Sequence, residues 1–214
     1  MIKARTGKVN IIISLGARFI LWLLGWKVQG PPPPFPKYVA IFASHTSNWD
    51  GLIGILCSFV LRVRGNWLGK DSLMKGPFGW FLKKIGGIPV DRSSPQKLVK
   101  QVVEFFNSND QAVLGIAPEG TRYFTDHWKS GFYHIAYHAK VPIVLGFWDY
   151  SKKIVGNSGV YIYPSGNMEE DLKIIEETYD KFSPKYPEHR STVKFKNYSL
   201  IPLEETHQEP NQTQ

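Results

Sequence analysis

Short apolar runs alternate with amphipathic segments along most of this chain, joined by short polar or glycine-containing links. Runs rich in β-branched and aromatic residues, typical of buried strands, occupy 37–44, 66–70, 87–91, 111–117 and 142–150. Segments with apolar residues at helical spacing occupy 48–64, 71–86, 94–109, 128–140 and 169–182. This alternation predicts an α/β fold, in which helices cover both faces of a sheet.

The predicted organisation has three parts. Residues 1–30 form an N-terminal membrane-associating helix, which the proline run PPPPFP ends. Residues 31–203 form the α/β domain, and residues 204–214 are a polar tail. Within the domain, the sequence KKIVGNSGVYIYPSG (152–166) predicts a β-hairpin.

The N-terminal helix carries the apolar sequence VNIIISLGARFILWLLGWKV after Lys3, Arg5 and Lys8. Arg18 interrupts this run, and a central arginine in a spanning helix costs about 2.5 kcal/mol or more. A helix that lies in the membrane interface, with Trp22 near the lipid headgroups, fits the pattern better. We therefore expect interfacial membrane association, with a single span and packing against the protein's own core as the alternatives.

The charge balance predicts an anionic partner. The formal net charge is +8, and residues 61–104 contain nine Lys or Arg against three acidic residues. An anionic membrane surface, a phosphorylated small molecule and nucleic acid all fit this excess, as does a solvated basic face. The sequence contains no helix-turn-helix, zinc-finger or RNA-recognition pattern and no GxxxxGK[ST] phosphate loop, so we expect no nucleic-acid partner.

The stretch ASHTSNWDG places His45 directly after the first predicted strand and Asp50 in the first turn of the next helix. A carboxylate that accepts from one ring nitrogen of a histidine leaves the other nitrogen free as a base. The same residues also suit a helix cap, with Ser47 or Asn48 as the capping residue and an incidental histidine. No serine or cysteine nucleophile is marked by its context, so a catalytic pair here would activate a substrate hydroxyl.

Two further predicted strands end in a glycine-marked stretch that carries an arginine. In IAPEGTR, Gly120 permits a tight turn and Arg122 offers a fork suited to phosphate, while Glu119 can hold that guanidinium or bind a substrate hydroxyl. GGIPVDR ends in Arg92. Each stretch alone also suits an ordinary turn or a surface charge, but two strand ends that deliver an arginine favour an anion-binding site.

Taken in order, these stretches resemble the sequence blocks of the glycerophospholipid acyltransferase family, most closely its lysophosphatidic acid acyltransferase branch. HTSNWD is similar to the His-x4-Asp block, KDSLMKGPFGWFLKKIGGIPVDR to the second block, APEGTR to the Pro-Glu-Gly-Thr-Arg block and VPIVLG to the closing Val-Pro-Ile block. The likeness runs from about residue 37 to residue 150. Ser44, Pro89, Ala117 and Tyr123 depart from the residues common in the family and leave the acceptor open.

The resemblance implies a mixed, largely parallel sheet flanked by helices, and acyl transfer from acyl-CoA or acyl carrier protein to a glycerol hydroxyl. His45 would deprotonate the hydroxyl and Asp50 would orient the imidazole, without an acyl-enzyme, a metal or a cofactor. The residues expected to hold the phosphate and glycerol of the acceptor are Lys70, Arg92, Glu119, Gly120, Thr121 and Arg122.

The expected acceptor is a lysophospholipid, 1-acyl-glycerol 3-phosphate, which would give phosphatidic acid. The resemblance implies that the reaction takes place at the cytoplasmic face of the inner or plasma membrane. A lyso-amino-acid lipid as acceptor is one alternative. A peripheral protein that binds anionic lipid without catalysis is another.

Two remaining features predict no chemistry. His134 and His138 share a helix face at the spacing of metal ligands, but no third ligand is evident, so we expect polar roles on the helix surface or in the core. The single cysteine, Cys57, excludes an intramolecular disulfide. It lies in an apolar run, which predicts an inert buried thiol.

Overall fold

The computed structural model describes residue 4 and residues 7–70, 74–84, 86–90 and 94–203. Within them the predicted alternation forms seven strands and six α-helices. The strands are β1 (Lys27–Gln29), β2 (Lys37–Ala43), β3 (Asn66–Lys70), β4 (Gly87–Val90), β5 (Ala112–Ile116), β6 (Ile143–Asp149) and β7 (Ile154–Ile162). The helices are α1 (Ile11–Leu23), α2 (Asn48–Val60), α3 (Gly76–Lys84), α4 (Pro95–Asn107), α5 (Gly131–Ala139) and α6 (Met168–Tyr179).

All seven strands form one sheet in the order β1-β7-β6-β2-β5-β3-β4. Five neighbouring strands, from β6 to β4, run parallel, whereas β7 pairs antiparallel with β6 and β1 pairs parallel with β7. The predicted mixed, largely parallel sheet flanked by helices is confirmed. Because parallel strands end at the same edge, the loops after β2, β5 and β6 leave the sheet side by side.

The central strand β2 is buried on both faces, as its unbroken apolar sequence predicts. Val39 and Ile41 join the larger core, which includes buried residues of α4, α5 and α6. Tyr38 and Ala40 point to the opposite face, where a separate cluster joins α1, α2 and Trp148. The strand that leads into the predicted active site therefore lies between two helical layers.

Helix α1 packs against α2 through one face and exposes the other. Its N-cap Asn10 accepts a hydrogen bond from the backbone of Ile12, and its buried residues are Ser14, Ala17 and Leu21. The exposed apolar residues of the helix are Ile11, Ile12, Ile13, Leu15, Phe19, Ile20, Trp22 and Leu23. Across the described part of the chain, no helix is both long enough and apolar enough to cross a membrane.

Strand β1 was not predicted from the sequence. It pairs with β7 across Gln29 and Gly156, where a Cβ atom added to the glycine would lie 1.9 Å from the Gln29 carbonyl oxygen. The glycine therefore permits the close approach of the two strands. The predicted boundary after residue 30 falls beyond β1, so residues on both sides of it contribute to the sheet.

The predicted hairpin at 152–166 is wrong. Residues 154–162 form the single strand β7, and its hairpin partner is β6. The pairing passes from Gly146–Asn157 to Val144–Tyr161, so β7 carries extra residues in a bulge that contains Gly159 at φ +83°. A glycine with positive φ serves both bulges and turns, and the local sequence does not distinguish them.

Candidate active site

His45 lies in the turn between β2 and α2, and Asp50 lies in the first turn of α2. Ser47 and Asp50 form a capping box. One oxygen of Asp50, Oδ2, accepts hydrogen bonds from the backbone nitrogens of Thr46 and Ser47, each at 2.8 Å, and lies 3.2 Å from Nδ1 of His45. The helix cap and the histidine–carboxylate pair are therefore the same structure, built on one carboxylate.

The hydrogen bonds determine which ring nitrogen of His45 is available. An ionised carboxylate only accepts hydrogen bonds, so Nδ1 carries the proton that Asp50 accepts. Nε2 makes no hydrogen bond to any residue that the structure describes. The His45 side chain is 22% exposed while Asp50 is completely buried. This arrangement suits a base that takes a proton from a bound hydroxyl.

Tyr150 completes the hydrogen bonding of Asp50 and was not predicted from the sequence. It follows β6, and its hydroxyl donates to the second carboxylate oxygen, Oδ1, at 2.5 Å. Burial and the neighbouring Asp50 raise the pKa of this hydroxyl, so it remains a donor. The only clue in the sequence is its position at a strand end, and that clue requires knowing that β6 is the neighbour of β2.

Glu119 supports the main chain of His45. Its Oε1 accepts a hydrogen bond from the His45 backbone nitrogen at 3.0 Å. The side chain is buried, and Oε2 has no hydrogen-bond partner among the described residues. Burial raises the pKa of this carboxyl to about 7. In the described part of the chain Glu119 contacts the backbone of His45 and not the Arg122 guanidinium, and its predicted contact with the acceptor stays a prediction.

Arg122 joins the loop after β5 to the start of α2, because its Nη1 donates to the side-chain oxygen of Asn48. Gly120 has φ +64°, as its predicted tight turn requires. Thr121 accepts through Oγ1 from the backbone of Tyr123 at 3.3 Å. The structure thus brings residues 118–122, the PEGTR loop, against the turn that carries His45.

The other two predicted acceptor-binding residues fall outside the described atoms. Lys70 is the last residue of β3, which places its backbone at the same sheet edge, but its side chain is not among the described ones. Arg92 lies outside the described residues. Their roles stay predictions.

Two cavities lie beside the turn between β2 and α2. An apolar cavity of about 600 Å³ lies between α2 and the sheet, and its lining includes His45, Asp50, Gly51, Phe42 and Trp148. A polar pocket of about 310 Å³ opens at the N-terminus of α2. It is lined by residues 46–49, Arg122, Tyr123, Lys185, Tyr186 and His189.

His134 and His138 hold the C-terminal segment. Nδ1 of His134 accepts from the backbone nitrogen of Ile201 at 3.4 Å, and Nε2 of His138 donates to the carbonyl oxygen of the same residue at 2.8 Å. Burial lowers the pKa of His134 to about 4. Cys57 is buried, and burial raises the pKa of its thiol to about 12. Among the described residues, no group of three His, Cys, Asp or Glu is placed to hold a metal ion.

The turn that carries His45 and the PEGTR loop lie within one family match. The sequence model of the family described as Acyltransferase matches residues 34–144, which is more than half of the chain. The chain belongs to the Acyltransferase family. The predicted family resemblance is confirmed, and Tyr150 and the 185–189 wall of the polar pocket lie outside the matched region.

Two curated relatives are each named 1-acyl-sn-glycerol-3-phosphate acyltransferase. The protein from Saccharomyces cerevisiae is 37% identical over 84 residues, which cover 35% of this chain and 27% of that protein. The protein from Cocos nucifera is 28% identical over 148 residues, which cover 66% of this chain and 47% of that protein. The chain therefore spans about a quarter and about half of the length of these two relatives.

The fold is also similar to a solved structure, that of the 1-acyl-sn-glycerophosphate acyltransferase PlsC from Thermotoga maritima. The TM-score is 0.56 at 19% sequence identity, and the match covers 79% of this chain and 76% of that chain. At this level of identity the likeness shows a shared fold.

Replacing the tyrosine that contacts Asp50 tests the hydrogen bonding of the buried carboxylate. Tyr150→Phe leaves Oδ1 of Asp50 without this donor, so we expect the free energy of unfolding to fall by about 1–3 kcal/mol. Urea denaturation measures this change. Tyr163→Phe, at an exposed tyrosine, is the matched control and should change stability by less than about 0.5 kcal/mol. Equal stability of the two variants would contradict the assignment.

The raised pKa of Glu119 predicts a pH-dependent stability. The folded state holds the Glu119 proton up to about pH 7, whereas the ordinary pKa of the group is 4.5, so the free energy of unfolding falls as pH rises between these values. Glu119→Gln removes the titrating carboxyl and with it this loss of stability. The amide keeps a side-chain oxygen that accepts the hydrogen bond from the His45 backbone nitrogen. We expect the free energy of unfolding of the variant, minus that of wild type, to increase by on the order of 3 kcal/mol between pH 4.5 and pH 8. Urea denaturation at each pH measures the difference, and a constant difference would contradict the prediction.

Proposed function

We propose that this protein transfers a fatty acyl group from a thioester, acyl-CoA or acyl carrier protein, to the free hydroxyl of 1-acyl-sn-glycerol 3-phosphate, giving phosphatidic acid. The observation that carries the proposal is that His45 and Asp50 line the apolar cavity while the residues between them in sequence, 46–49, line the polar pocket that contains Arg122. Both curated relatives bear the name of this activity, which supports the same acceptor.

The apolar cavity suits a fatty acyl chain. Its volume of about 600 Å³ falls within the range of ordinary ligand sites, and its lining is largely apolar. Gly51 and Gly54 lie on the side of α2 that faces it, and a Cβ atom added to Gly51 would meet open space. An acyl chain in this cavity would place its thioester carbonyl beside His45.

The polar pocket suits the headgroup of the acceptor. Arg122 is an always-charged planar donor, and Asn48 tethers it beside the His45 turn. A guanidinium binds phosphate oxygens through paired hydrogen bonds. A glycerol phosphate bound in the polar pocket would direct its free hydroxyl toward His45.

The reaction then proceeds in one displacement. The acceptor hydroxyl gives its proton to Nε2 of His45 while Asp50 keeps the ring oriented through Nδ1. The hydroxyl oxygen bonds to the thioester carbonyl carbon, and the carbon–sulfur bond breaks as the tetrahedral intermediate collapses. The departing thiolate takes the proton from the His45 imidazolium, so the products are the ester and the free thiol.

An acceptor panel tests the proposal. Purified protein is incubated with labelled acyl-CoA or acyl carrier protein and with lysophosphatidic acid, monoacylglycerol or a lyso-amino-acid lipid, and the product is measured by thin-layer chromatography. We expect phosphatidic acid to form. His45→Ala should lower the rate by about 10²- to 10⁴-fold, because the proton then lacks an acceptor.

His138→Ala is the matched control for this experiment, since His138 binds the carbonyl oxygen of Ile201 and lines neither of the two cavities. It should retain most of the activity, and both variants should remain folded. Preferential acylation of a phosphate-free acceptor would overturn the phosphatidic acid assignment. Full activity of His45→Ala would overturn the mechanism.

We also infer that the protein works on an anionic membrane surface, at the cytoplasmic face of the inner or plasma membrane. The uncovered face of α1 carries Trp22, Phe19 and Ile12, which are 69%, 58% and 75% exposed. Apolar and aromatic side chains of this kind stabilise a helix in the membrane interface. Helix α2, which packs against α1, also exposes Leu52 and Ile55. This two-helix layer lies beside the apolar cavity, where a lipid acceptor would arrive.

The membrane inference predicts a loss of vesicle binding. In the triple variant Ile12→Ser, Phe19→Ser and Trp22→Ser, we expect the affinity for phosphatidylglycerol-containing vesicles to fall at least about tenfold, because about 1.5–3 kcal/mol per side chain is lost. Cosedimentation measures the affinity. Ile174→Ser with Tyr163→Ser removes exposed apolar area elsewhere and should leave binding unchanged. Unchanged binding of the triple variant would contradict the inference.

A further inference from the structure

The polar pocket has a second cationic wall, formed by a segment that lies beyond the family match. Lys185, Tyr186 and His189 line the pocket together with Arg122 and Tyr123, whereas the family match ends at residue 144. Lys185 and Tyr186 precede a short 3₁₀ helix, Pro187–His189, which follows α6 and includes His189. The sequence offered no motif for this segment.

Two hydrogen bonds hold this segment against the turns that follow β2 and β6. The backbone nitrogen of Tyr186 donates to Oγ1 of Thr46 at 3.3 Å, next to His45 in sequence. The backbone nitrogen of Tyr150 donates to the carbonyl oxygen of Ser183 at 2.8 Å. Because both anchors belong to the turns that hold Asp50, the position of the segment is tied to that of the His45–Asp50 pair.

Lys185 is held at the pocket wall by aromatic faces. Its Nζ lies 5.7 Å from the ring centroid of Trp49 and 5.3 Å from that of Tyr186. No carboxylate within the described part of the chain forms an ion pair with it. Its charge is therefore available to an anion in the pocket.

Among the residues that the structure describes, the pocket lining thus presents two cations, Arg122 and Lys185, and no acidic residue. A phosphate monoester carries a charge of about −1.5 to −2 near pH 7. A phosphodiester carries only one negative charge. A pocket with two positive side chains and no negative one favours the dianion.

On these grounds we propose that Lys185 is a specificity-determining residue that, together with Arg122, selects acceptors with a phosphate monoester over phosphodiester and phosphate-free acceptors. This proposal rests on the proposed function, because it names the part of the acceptor that the pocket recognises. It assigns part of the phosphate recognition to a residue outside the family match and in a different segment of the chain from the PEGTR loop.

Steady-state kinetics with three acceptors of the same acyl chain test the proposal. The acceptors are lysophosphatidic acid, lysophosphatidylglycerol and monoacylglycerol. For Lys185→Ala we expect KM for lysophosphatidic acid to rise about tenfold, with kcat within about twofold of wild type, because a contact present in both ground and transition states is lost. KM for the other two acceptors should change by less than about twofold. Lys185→Arg should recover most of the affinity.

Lys181→Ala is the matched control, because it removes one positive charge from an exposed site before the pocket segment. It should leave all three KM values unchanged. An equal rise of KM for the three acceptors in Lys185→Ala would show a role in pocket shape and would overturn the proposal. No change in any KM would also overturn it.

A binding measurement separates this proposal from the proposed function. Titration of the protein with sn-glycerol 3-phosphate, with glycerol as the control ligand, is followed by NMR. We expect Lys185→Ala and Arg122→Ala each to weaken binding of the phosphate about tenfold. If wild type acylates no acceptor, the proposed function fails, but phosphate binding that depends on Lys185 still supports the pocket assignment. If wild type is active and Lys185→Ala binds sn-glycerol 3-phosphate as tightly as wild type does, only the assignment of Lys185 to phosphate recognition fails.

Discussion

The buried carboxylate of Asp50 accepts hydrogen bonds from the backbone of Thr46 and Ser47, from the hydroxyl of Tyr150 and from the ring of His45. A completely buried charge is costly unless several donors satisfy it, and here four donors do so. The bond from Ser47 belongs to the cap of α2, and the bond to His45 orients the histidine. The start of the helix and the geometry of the base therefore depend on the same atoms, and a change in either disturbs the other.

The parallel pairing of β2 with β5 and β6 assembles the rest of the site. The turn after β2 supplies His45, the loop after β5 supplies Glu119 and Arg122, and the turn after β6 supplies Tyr150. Glu119 braces the backbone of His45 while Arg122 reaches the side chain of Asn48. Three neighbouring strand ends thus bring the histidine–carboxylate pair and a cation to one edge of the sheet.

The surroundings of this edge match a reaction between a lipid and a thioester. The layer of α1 and α2 is apolar outside and borders the apolar cavity inside, while the polar pocket lies at the N-terminus of α2. Helix α2 is shared by the exposed apolar layer, the cavity and the pocket. In the proposed function, a lipid acceptor would keep its acyl chain in an apolar environment while its headgroup reaches Arg122.

Features that depend on neighbouring residues were predictable from the sequence. The alternation of strands and helices, the cap at Ser47 and the turn at Gly120 follow from short-range patterns, and the structure contains each of them. The choice between a helix cap and a histidine–carboxylate pair was open locally. The structure contains both, because one carboxylate oxygen, Oδ2, accepts from the Ser47 backbone of the helix cap and from the ring of His45.

Contacts between distant parts of the chain were decided by the tertiary structure alone. Tyr150 meets Asp50 across 100 residues of sequence, and Tyr186 meets Thr46 across 140. The addition of β1 to the sheet and the bulge in β7 depend on which strands become neighbours. The sequence by itself determined the elements and the chemical groups at the strand ends. Only packing determined the strand order, and with it which distant side chains complete the site, because local patterns carry no information on which elements pair.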